Sequence, residues 1–173
     1  MMHSVLANPG VNKSWEVLVH RGIRPHGDKV NRMIREAQGT HIVVWDDDDW
    51  IAADYIEWVL PLLDSGDDFV GYRIVCMSEG RYSQTVVHDA QHEGFTGPLR
   101  GVSQKCPIRR ELALDIPFPD DYYQDGVWSA QIQRGVESYS YVDRDLYFYD
   151  YWFTNRYRSV GMWPYDKSLI RWF

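Results

Sequence analysis

The chain has 173 residues, 45% of them hydrophobic and 15% aromatic, which is enough for one domain with its own core and excludes a disordered or fibrous protein. The formal net charge of −7 argues against a broad nucleic-acid-binding face. No apolar run is long enough to cross a bilayer, and the N-terminus lacks the apolar core of a signal peptide. We therefore expect a soluble cytoplasmic protein without a transmembrane segment.

The first third of the chain reads as alternating strands and helices. Residues 14–20 (SWEVLVH) and 41–45 (HIVVW) are apolar runs typical of buried strands. Between them, one helix face is predicted from the apolar spacing, and Gly39 is predicted to end that helix as its C-cap; the residues on this face are Val30, Met33, Ile34 and Ala37. A second amphipathic helix is predicted from Ile51 to Leu63. This order predicts a parallel, doubly wound sheet.

The rest of the chain has a different pattern. DFVGYRIVCM (68–77) and GRYSQTVVH (80–88) predict a hairpin, followed by a loop rich in glycine and proline. Shorter helices are predicted within 107–114 and 122–134, and a tyrosine-rich strand within 138–152. MMHSVLANPG (1–10) reads as the end of a helix. We expect a single domain over residues 1–173.

Four consecutive aspartates, Asp46 to Asp49, directly follow the second predicted strand. In open α/β sheets, ligands bind at the carboxyl ends of strands. The ordinary alternative is a solvated loop that places negative charge at the N-terminus of the next helix. Trp45 and Trp50 flank the aspartates, so we expect a partly enclosed site in which the like charges require a cation. Oxygen ligands select Mg²⁺ or Mn²⁺, and such an ion suits the binding of a diphosphate.

Two segments carry a family resemblance. GDKVNRMIREAQGTHIVVWDDDDWIAADYIEWVLPLL (27–63) resembles the central stretch of family 2 glycosyltransferases, which have the GT-A fold and a DxD motif. PIRRELALDIPFPDDYYQDGVWSAQI (107–132) is similar to a later segment of that family, with Gln124 and Asp125 standing where its Glu-Asp pair stands. The residues that match the first segment in order and spacing are Asn31, Gly39, Asp46, Asp48 and Asp49.

The resemblance implies roles for these residues. Asp48 would be a direct ligand of Mn²⁺ or Mg²⁺, Asp46 would contact the metal or the donor ribose, and Asp49 would support the loop. Asp125 would be the general base that deprotonates the acceptor hydroxyl; its ordinary alternative is a helix N-terminal charge. The remaining donor-side candidates are Asp47, Asn31 and Lys29, although a lysine at that position is commonly a solvated residue at a helix start.

The resemblance thus implies a GT-A-like α/β fold: a mostly parallel, Rossmann-like central sheet flanked by helices, with a smaller mixed or antiparallel acceptor side. Residues 1–65 would form the nucleotide- and metal-binding half, and residues 66–173 the acceptor half and C-terminal tail. The implied function is metal-dependent, inverting sugar transfer from a nucleotide-diphosphate sugar to an acceptor hydroxyl. The acceptor candidates are a saccharide, a lipid-linked sugar, a protein and a modified base.

The chain departs from the family pattern at two places. Its N-terminus is short, without the first strand ending in P-x-x-N, and a sheet edge left in this way invites pairing with a second copy. The last strand region lacks the usual metal-binding histidine, for which Asp150 or Trp152 would substitute. Two further functions therefore stand beside transfer: a catalytically inactive GT-A-like binding protein, and a two-metal nuclease or nucleotidyltransferase.

Overall fold

A computed structural model of the chain describes residues 3–7, 15–20, 25–46, 49–78, 80–94, 97–120 and 124–151. Within these residues it contains one sheet of nine strands and four helices. The strands are β1 (His3–Ala7), β2 (Glu16–His20), β3 (His41–Asp46), β4 (Trp50–Ile51), β5 (Phe69–Ser78), β6 (Arg81–His88), β7 (Leu99–Arg100), β8 (Ile108–Arg109) and β9 (Tyr139–Tyr151). The helices are α1 (His26–Glu36), α2 (Tyr55–Leu63), α3 (Arg110–Asp115) and α4 (Gln124–Gln133).

The predicted strand–helix–strand unit is present as β2, α1 and β3, but its two strands are not neighbours. Strand β1 lies between them and is antiparallel to both, with His3 opposite His20 on one side and Asp46 on the other. The prediction that residues 1–10 end a helix is wrong for His3–Ala7. Because β1 lies between β2 and β3 and is antiparallel to both, β2 and β3 run in the same direction but share no hydrogen bonds.

The sheet is mixed, so the expectation of a mostly parallel sheet is wrong. The strand order is β2-β1-β3-β8-β5-β6-β7, with β9 also pairing with β5 and with β4. Among the described strands, the β5–β9 and β6–β7 pairs are parallel and the other pairs are antiparallel. The short strand β8 is antiparallel to both β3 and β5. Strands β3, β5 and β9 therefore run the same way, and their carboxyl ends lie at one edge of the sheet.

The predicted apolar face of α1 is buried, but the bounds of α1 and α2 differ from the predicted ones. The stripe Val30, Met33, Ile34 and Ala37 is buried, as predicted. Helix α1 ends at Glu36, and Ala37 is already extended, so the prediction of Gly39 as the C-cap is wrong. Helix α2 begins at Tyr55, because Ile51 pairs with β9 as part of β4. No helix in the described part of the chain is long and apolar enough to span a membrane.

The start of α1 packs closely against the main chain before α4. A Cβ on Gly27 would lie 2.4 Å from the Pro119 carbonyl oxygen and 2.6 Å from that of Phe118. One turn later, the Asn31 amide donates to the Phe118 carbonyl (2.8 Å) and accepts from the Phe118 N–H (2.7 Å). These contacts fix α1, and with it the start of β3, relative to the segment that leads into α4.

The close approach at Gly27 predicts that Gly27→Ala destabilises the protein by about 1–3 kcal/mol, because the new methyl group overlaps backbone atoms that cannot move independently. Alanine alone would favour the helix by about 1 kcal/mol. The measurement is urea unfolding.

Gly126→Ala in the first turn of α4 is the matched control, since a Cβ there meets no atom of a described residue within 4 Å. We expect it to leave stability unchanged or slightly higher. Equal effects of the two substitutions would contradict the close packing of α1.

Candidate functional site

The acidic loop lies where the carboxyl ends of β3 and β9 meet. Asp46 is the last residue of β3, and Asp49 precedes β4, whose Trp50 and Ile51 pair with Phe148 and Tyr147 of β9. This is the sheet edge at which α/β proteins bind ligands. Of the four consecutive aspartates, the structure describes Asp46 and Asp49; Asp47 and Asp48 lie outside the described residues, as does Trp152.

A lysine from a distant part of the chain bridges the two described aspartates. The Lys105 ammonium forms a short ion pair with Asp46 and lies 3.5 Å from Asp49 Oδ2. The Asp49 side chain is 1% exposed, Lys105 12% and Asp46 25%. A carboxylate as buried as Asp49 is costly unless its charge is compensated, and Lys105 supplies that compensation.

The backbone around Lys105 is anchored to the core. The Val44 N–H of β3 donates to the Gln104 carbonyl at 2.8 Å, which places the next residue beside the end of β3. The Lys105 N–H donates to Ser103 Oγ (3.2 Å), and the buried Tyr72 hydroxyl donates to the Lys105 carbonyl. The position of the ammonium group is therefore set by the sheet.

Tyr147 of β9 completes this cluster. Its hydroxyl donates to Asp49 Oδ2 at 2.5 Å and accepts from the Asp46 N–H at 3.4 Å. Burial, together with the Asp49 and Asp46 carboxylates, raises the pKa of Tyr147 well above its ordinary value, so the phenol stays protonated. Burial alone would lower the pKa of Lys105, but the two carboxylates outweigh it and the pKa is raised. The lysine therefore keeps its positive charge.

A cavity of about 220 Å³ opens beside this cluster. Asp46 and Lys105 form one part of its wall, and Asp125, from the first turn of α4, forms another. The predicted donor-side aspartate and the predicted base thus face one space, although they are far apart in the sequence. Its other lining residues are Ile74, Cys76, Val86, His88, Arg100, Ser103, Gln104, Tyr147 and Tyr149.

Asp125 is held at the start of a well-anchored helix. Its Oδ1 accepts the Gly126 N–H at 2.9 Å, and the carboxylate is partly buried. Helix α4 is fixed by buried Trp128, whose indole N–H donates to the Ile116 carbonyl at 2.7 Å. Gln124 begins the same helix, but its side chain lies outside the described part of the structure.

The other predicted residues are placed away from this wall. Lys29 is buried in α1, and both polar groups of the Asn31 amide bond the Phe118 backbone. Neither is among the described residues that line the cavity. Asp150 is buried in β9 and accepts the Gly80 N–H at 3.1 Å, while its own N–H donates to Asp49 Oδ1 at 3.4 Å. A donor-binding role for Lys29 or Asn31, and a metal-binding role for Asp150, stay predictions.

The described residues supply part of the ligand set expected for a hard cation. Asp46 offers a half-buried carboxylate at the cavity, whose oxygens are the ligand type that Mg²⁺ and Mn²⁺ prefer. Among the described residues there is no group of three His, Cys, Asp or Glu side chains that could hold a metal. Such an ion takes its other ligands from water and from phosphate oxygens, and Asp48, outside the described residues, is the further protein ligand that the sequence predicts.

The sequence analysis did not identify Lys105 as a partner of the aspartates. No local motif marks such a pairing. One physical consideration points towards such a partner: an acid cluster at the end of a core strand needs a cation from elsewhere in the fold. Lys105 is one of the basic residues between the two segments that resemble the family.

The buried ion pair predicts that Lys105→Met destabilises the protein by about 3–5 kcal/mol, because the Asp46 and Asp49 charges lose their compensation. Urea unfolding in EDTA measures this loss. The double variant Asp46→Asn/Lys105→Met is the control, and we expect it to be more stable than the Lys105→Met single variant. Wild-type stability of the single variant would show that the pair contributes nothing.

His88 predicts a specific pH dependence. Burial lowers its pKa to about 4, and its Nδ1–H donates to the Gly101 carbonyl at 2.8 Å. As the pH falls from 6.5 to 4, the unfolded chain binds a proton that the folded chain does not, so stability is lost in this window, by roughly 3 kcal/mol. Above pH 6.5 this contribution is fully present.

His88→Gln, which keeps a donor but does not titrate, should reduce this slope, measured by urea unfolding at several pH values. The slope should not vanish, since burial also lowers the pKa of His41. Identical slopes for the variant and the wild type would contradict the assignment.

Comparison with known proteins identifies the family of the chain. A comparison with curated proteins gives no match. The family model described as Glycosyl transferase family 2 matches residues 12–118, which include the acidic loop, the Lys105 segment and the Asn31–Phe118 contact. Asp125 lies just beyond the matched range. Because the match covers more than half of the 173 residues, the chain belongs to glycosyltransferase family 2.

Proposed function

We propose that the protein is a metal-dependent, inverting glycosyltransferase that moves a sugar from a nucleotide-diphosphate sugar to an acceptor hydroxyl. Membership of the family supports sugar transfer in general. The observation that carries the proposal is the cavity shared by Asp46 and Asp125. One wall provides the acidic loop for the donor, and another provides a carboxylate that can accept a proton from the attacking group.

Asp125 is the proposed general base. As the acceptor oxygen forms a bond to the anomeric carbon, its proton passes to Asp125. The bond between the anomeric carbon and the diphosphate oxygen breaks, and its electron pair leaves with the diphosphate. A single displacement of this kind inverts the anomeric carbon and needs no protein nucleophile. The anchored position of α4 limits the movement of the base, which favours productive orientation.

The donor side is the acidic loop. Mn²⁺ or Mg²⁺ would be held by Asp46 and Asp48, and when bound it supplies positive charge to the departing diphosphate. Lys105 and Tyr147 hold Asp46 and Asp49 in place, so the two ends of the acidic loop are positioned before the donor arrives. Asp47, Lys29 and Asn31 are proposed to contribute to donor binding, and Asp150 or Trp152 to take the place of the missing histidine.

The proposed base predicts that Asp125→Asn lowers the transfer rate by about 10²- to 10⁴-fold while leaving donor binding intact, because the amide cannot accept the proton. Donor binding is measured as the thermal shift produced by UDP, GDP or dTDP with Mn²⁺. Rate is measured as donor sugar released or transferred. Asp115→Asn, at the exposed end of α3, is the matched control and should transfer normally.

Transfer by Asp125→Asn at the wild-type rate would refute the base assignment. Wild-type protein that binds a nucleotide with Mn²⁺ but neither transfers nor hydrolyses its sugar would instead support the non-catalytic alternative.

A further inference from the structure

The cavity-facing carboxylate of the acidic loop is already paired with a cation of the protein itself. Of the two described aspartates of this loop, Asp46 is the one that lines the cavity of about 220 Å³. Its Oδ2 is paired with the Lys105 ammonium, and Lys105 lines the same cavity. Asp46 is also a proposed metal ligand. A divalent ion that binds Asp46 therefore meets a resident ammonium group.

Asp49, the other described carboxylate, is not open to an ion that enters from the cavity. Its side chain is 1% exposed, compared with 25% for Asp46. Both of its oxygens accept hydrogen bonds, Oδ2 from the Tyr147 hydroxyl (2.5 Å) and Oδ1 from the Asp150 N–H (3.4 Å). An ion in the cavity thus reaches Asp46, on which the ammonium group is already seated.

A divalent ion and the ammonium group compete for Asp46. Two cations on one carboxylate repel each other, and in a partly buried site the solvent screens this repulsion only weakly. The closer the ion comes to Asp46, the more the ion pair between Asp46 and Lys105 is weakened. Lys105 therefore lowers the affinity of the unliganded protein for the ion.

The surroundings of Lys105 limit where its ammonium group can go. The Lys105 N–H donates to Ser103 Oγ (3.2 Å), and the Tyr72 hydroxyl donates to the Lys105 carbonyl, so the backbone is fixed. The buried Asp49 carboxylate, 3.5 Å from the ammonium, still needs a positive charge. The four-carbon side chain rotates about its fixed backbone. The movement left to it is a turn from Asp46 towards the cavity, with Asp49 kept as a neighbour.

A diphosphate is the anion that suits an ammonium group turned in this direction. Under the proposed function, the diphosphate of the donor enters this cavity together with the metal. Ammonium N–H groups donate charge-assisted hydrogen bonds to phosphate oxygens, and lysine is a common phosphate-binding residue. Arg100 lines the cavity as well and adds a second positive charge. Positive charge on the wall lowers the cost of bringing a diphosphate close to the Asp46 and Asp125 carboxylates.

We propose that Lys105 exchanges partners when metal and donor bind: its ammonium group leaves Asp46 to the divalent ion and donates to the donor diphosphate instead. The inference rests on the proposed function, to which it adds a donor-contacting residue and a regulation of metal binding. Lys105 opposes binding of the ion alone and favours binding of the nucleotide once the ion is present. The two ligands are thereby coupled, and each raises the affinity for the other.

Metal binding without a donor tests the competition. Mn²⁺ is titrated into the wild type, Lys105→Met and Asp46→Asn/Lys105→Met, and free Mn²⁺ is measured from its electron paramagnetic resonance signal. We expect Lys105→Met to bind Mn²⁺ about 10-fold more tightly than the wild type, because a neighbouring positive charge is gone. The double variant should lose this gain, because Asp46 is the carboxylate that the ion binds.

Nucleotide binding at saturating Mn²⁺ tests the contact with the diphosphate. Lys105→Met should bind UDP, GDP or dTDP, whichever the wild type binds, about 10- to 100-fold more weakly, as loss of a hydrogen bond between charged groups requires. A lysine that only holds the loop together would, on removal, weaken the binding of both Mn²⁺ and the nucleotide. Weaker or unchanged Mn²⁺ binding by Lys105→Met would therefore overturn the inference.

Arg109→Met is the matched control for the loss of a partly buried cation. Arg109 pairs with Asp68 at 2.8 Å and is not among the described residues that line the cavity. Its replacement should leave the affinities for Mn²⁺ and for the nucleotide as they are in the wild type. An effect of Arg109→Met equal to that of Lys105→Met would contradict a specific role of Lys105.

A measurement on the wild type makes the test independent of the stability of the variants. The chain has four lysines, so the ¹⁵N signals of their ammonium groups are few enough to assign individually. Diamagnetic Mg²⁺ together with the nucleotide should shift the Lys105 Nζ signal and give it a scalar coupling to phosphorus. A Lys105 Nζ signal that is unchanged in the saturated complex would overturn the exchange.

Transfer activity separates this inference from the proposed function. Asp125-dependent transfer by a protein whose Lys105 stays paired with Asp46 in the complex with Mg²⁺ and nucleotide would refute the exchange and leave the transferase proposal standing. Exchange in a protein that neither transfers nor hydrolyses the donor sugar would support the inference about Lys105 and refute the transferase proposal.

Discussion

The contact on which the candidate site depends is the Lys105 ammonium shared between Asp46 and Asp49. Carboxylates at the end of a core strand repel one another, and Asp49 is nearly inaccessible to water. Without a cation, the loop would have to open or become protonated. Lys105 removes that difficulty, and its backbone is tied to β3 through Val44 and to the core through Tyr72. At one end of the acidic loop, Asp49 is thus part of the folded core; at the other end, Asp46 lines the cavity.

The same arrangement explains how distant segments meet in one site. The parallel directions of β3, β5 and β9 bring their carboxyl ends to one edge of the sheet, and Tyr147 of β9 bonds the loop that follows β3. The Gly27 and Asn31 contacts hold Phe118 and Pro119 against α1. Trp128 ties α4 to Ile116, and Asp125 of α4 faces the same cavity as Asp46. In the function proposed above, the donor then binds at the acidic loop, and Asp125 faces the same cavity as the proposed base.

Local patterns in the sequence were sufficient for much of this fold. Apolar runs and turn signals predicted β2, β3, the β5–β6 hairpin and α4, because each depends on residues close together in the chain. The direction of β1 was not predictable, since it is decided by pairing with two strands that are distant in sequence. Helix α1 also ends earlier than the predicted C-cap at Gly39. It ends at Glu36, and the extended Ala37 is buried in the core, so tertiary packing outweighs the local preference of glycine for a helix end.

The sequence predicted which acidic residues form the candidate site, but not which side chains contact them. The aspartates and Asp125 came from a spaced motif, whereas Lys105 and Tyr147 join the site through contacts that no short motif records. A crystal structure with Mn²⁺ and an intact UDP, GDP or dTDP sugar tests the central claim most directly. The account predicts the diphosphate against Asp46 and the anomeric carbon facing the Asp125 carboxylate. A donor bound elsewhere, or with its anomeric carbon turned away from Asp125, would contradict it.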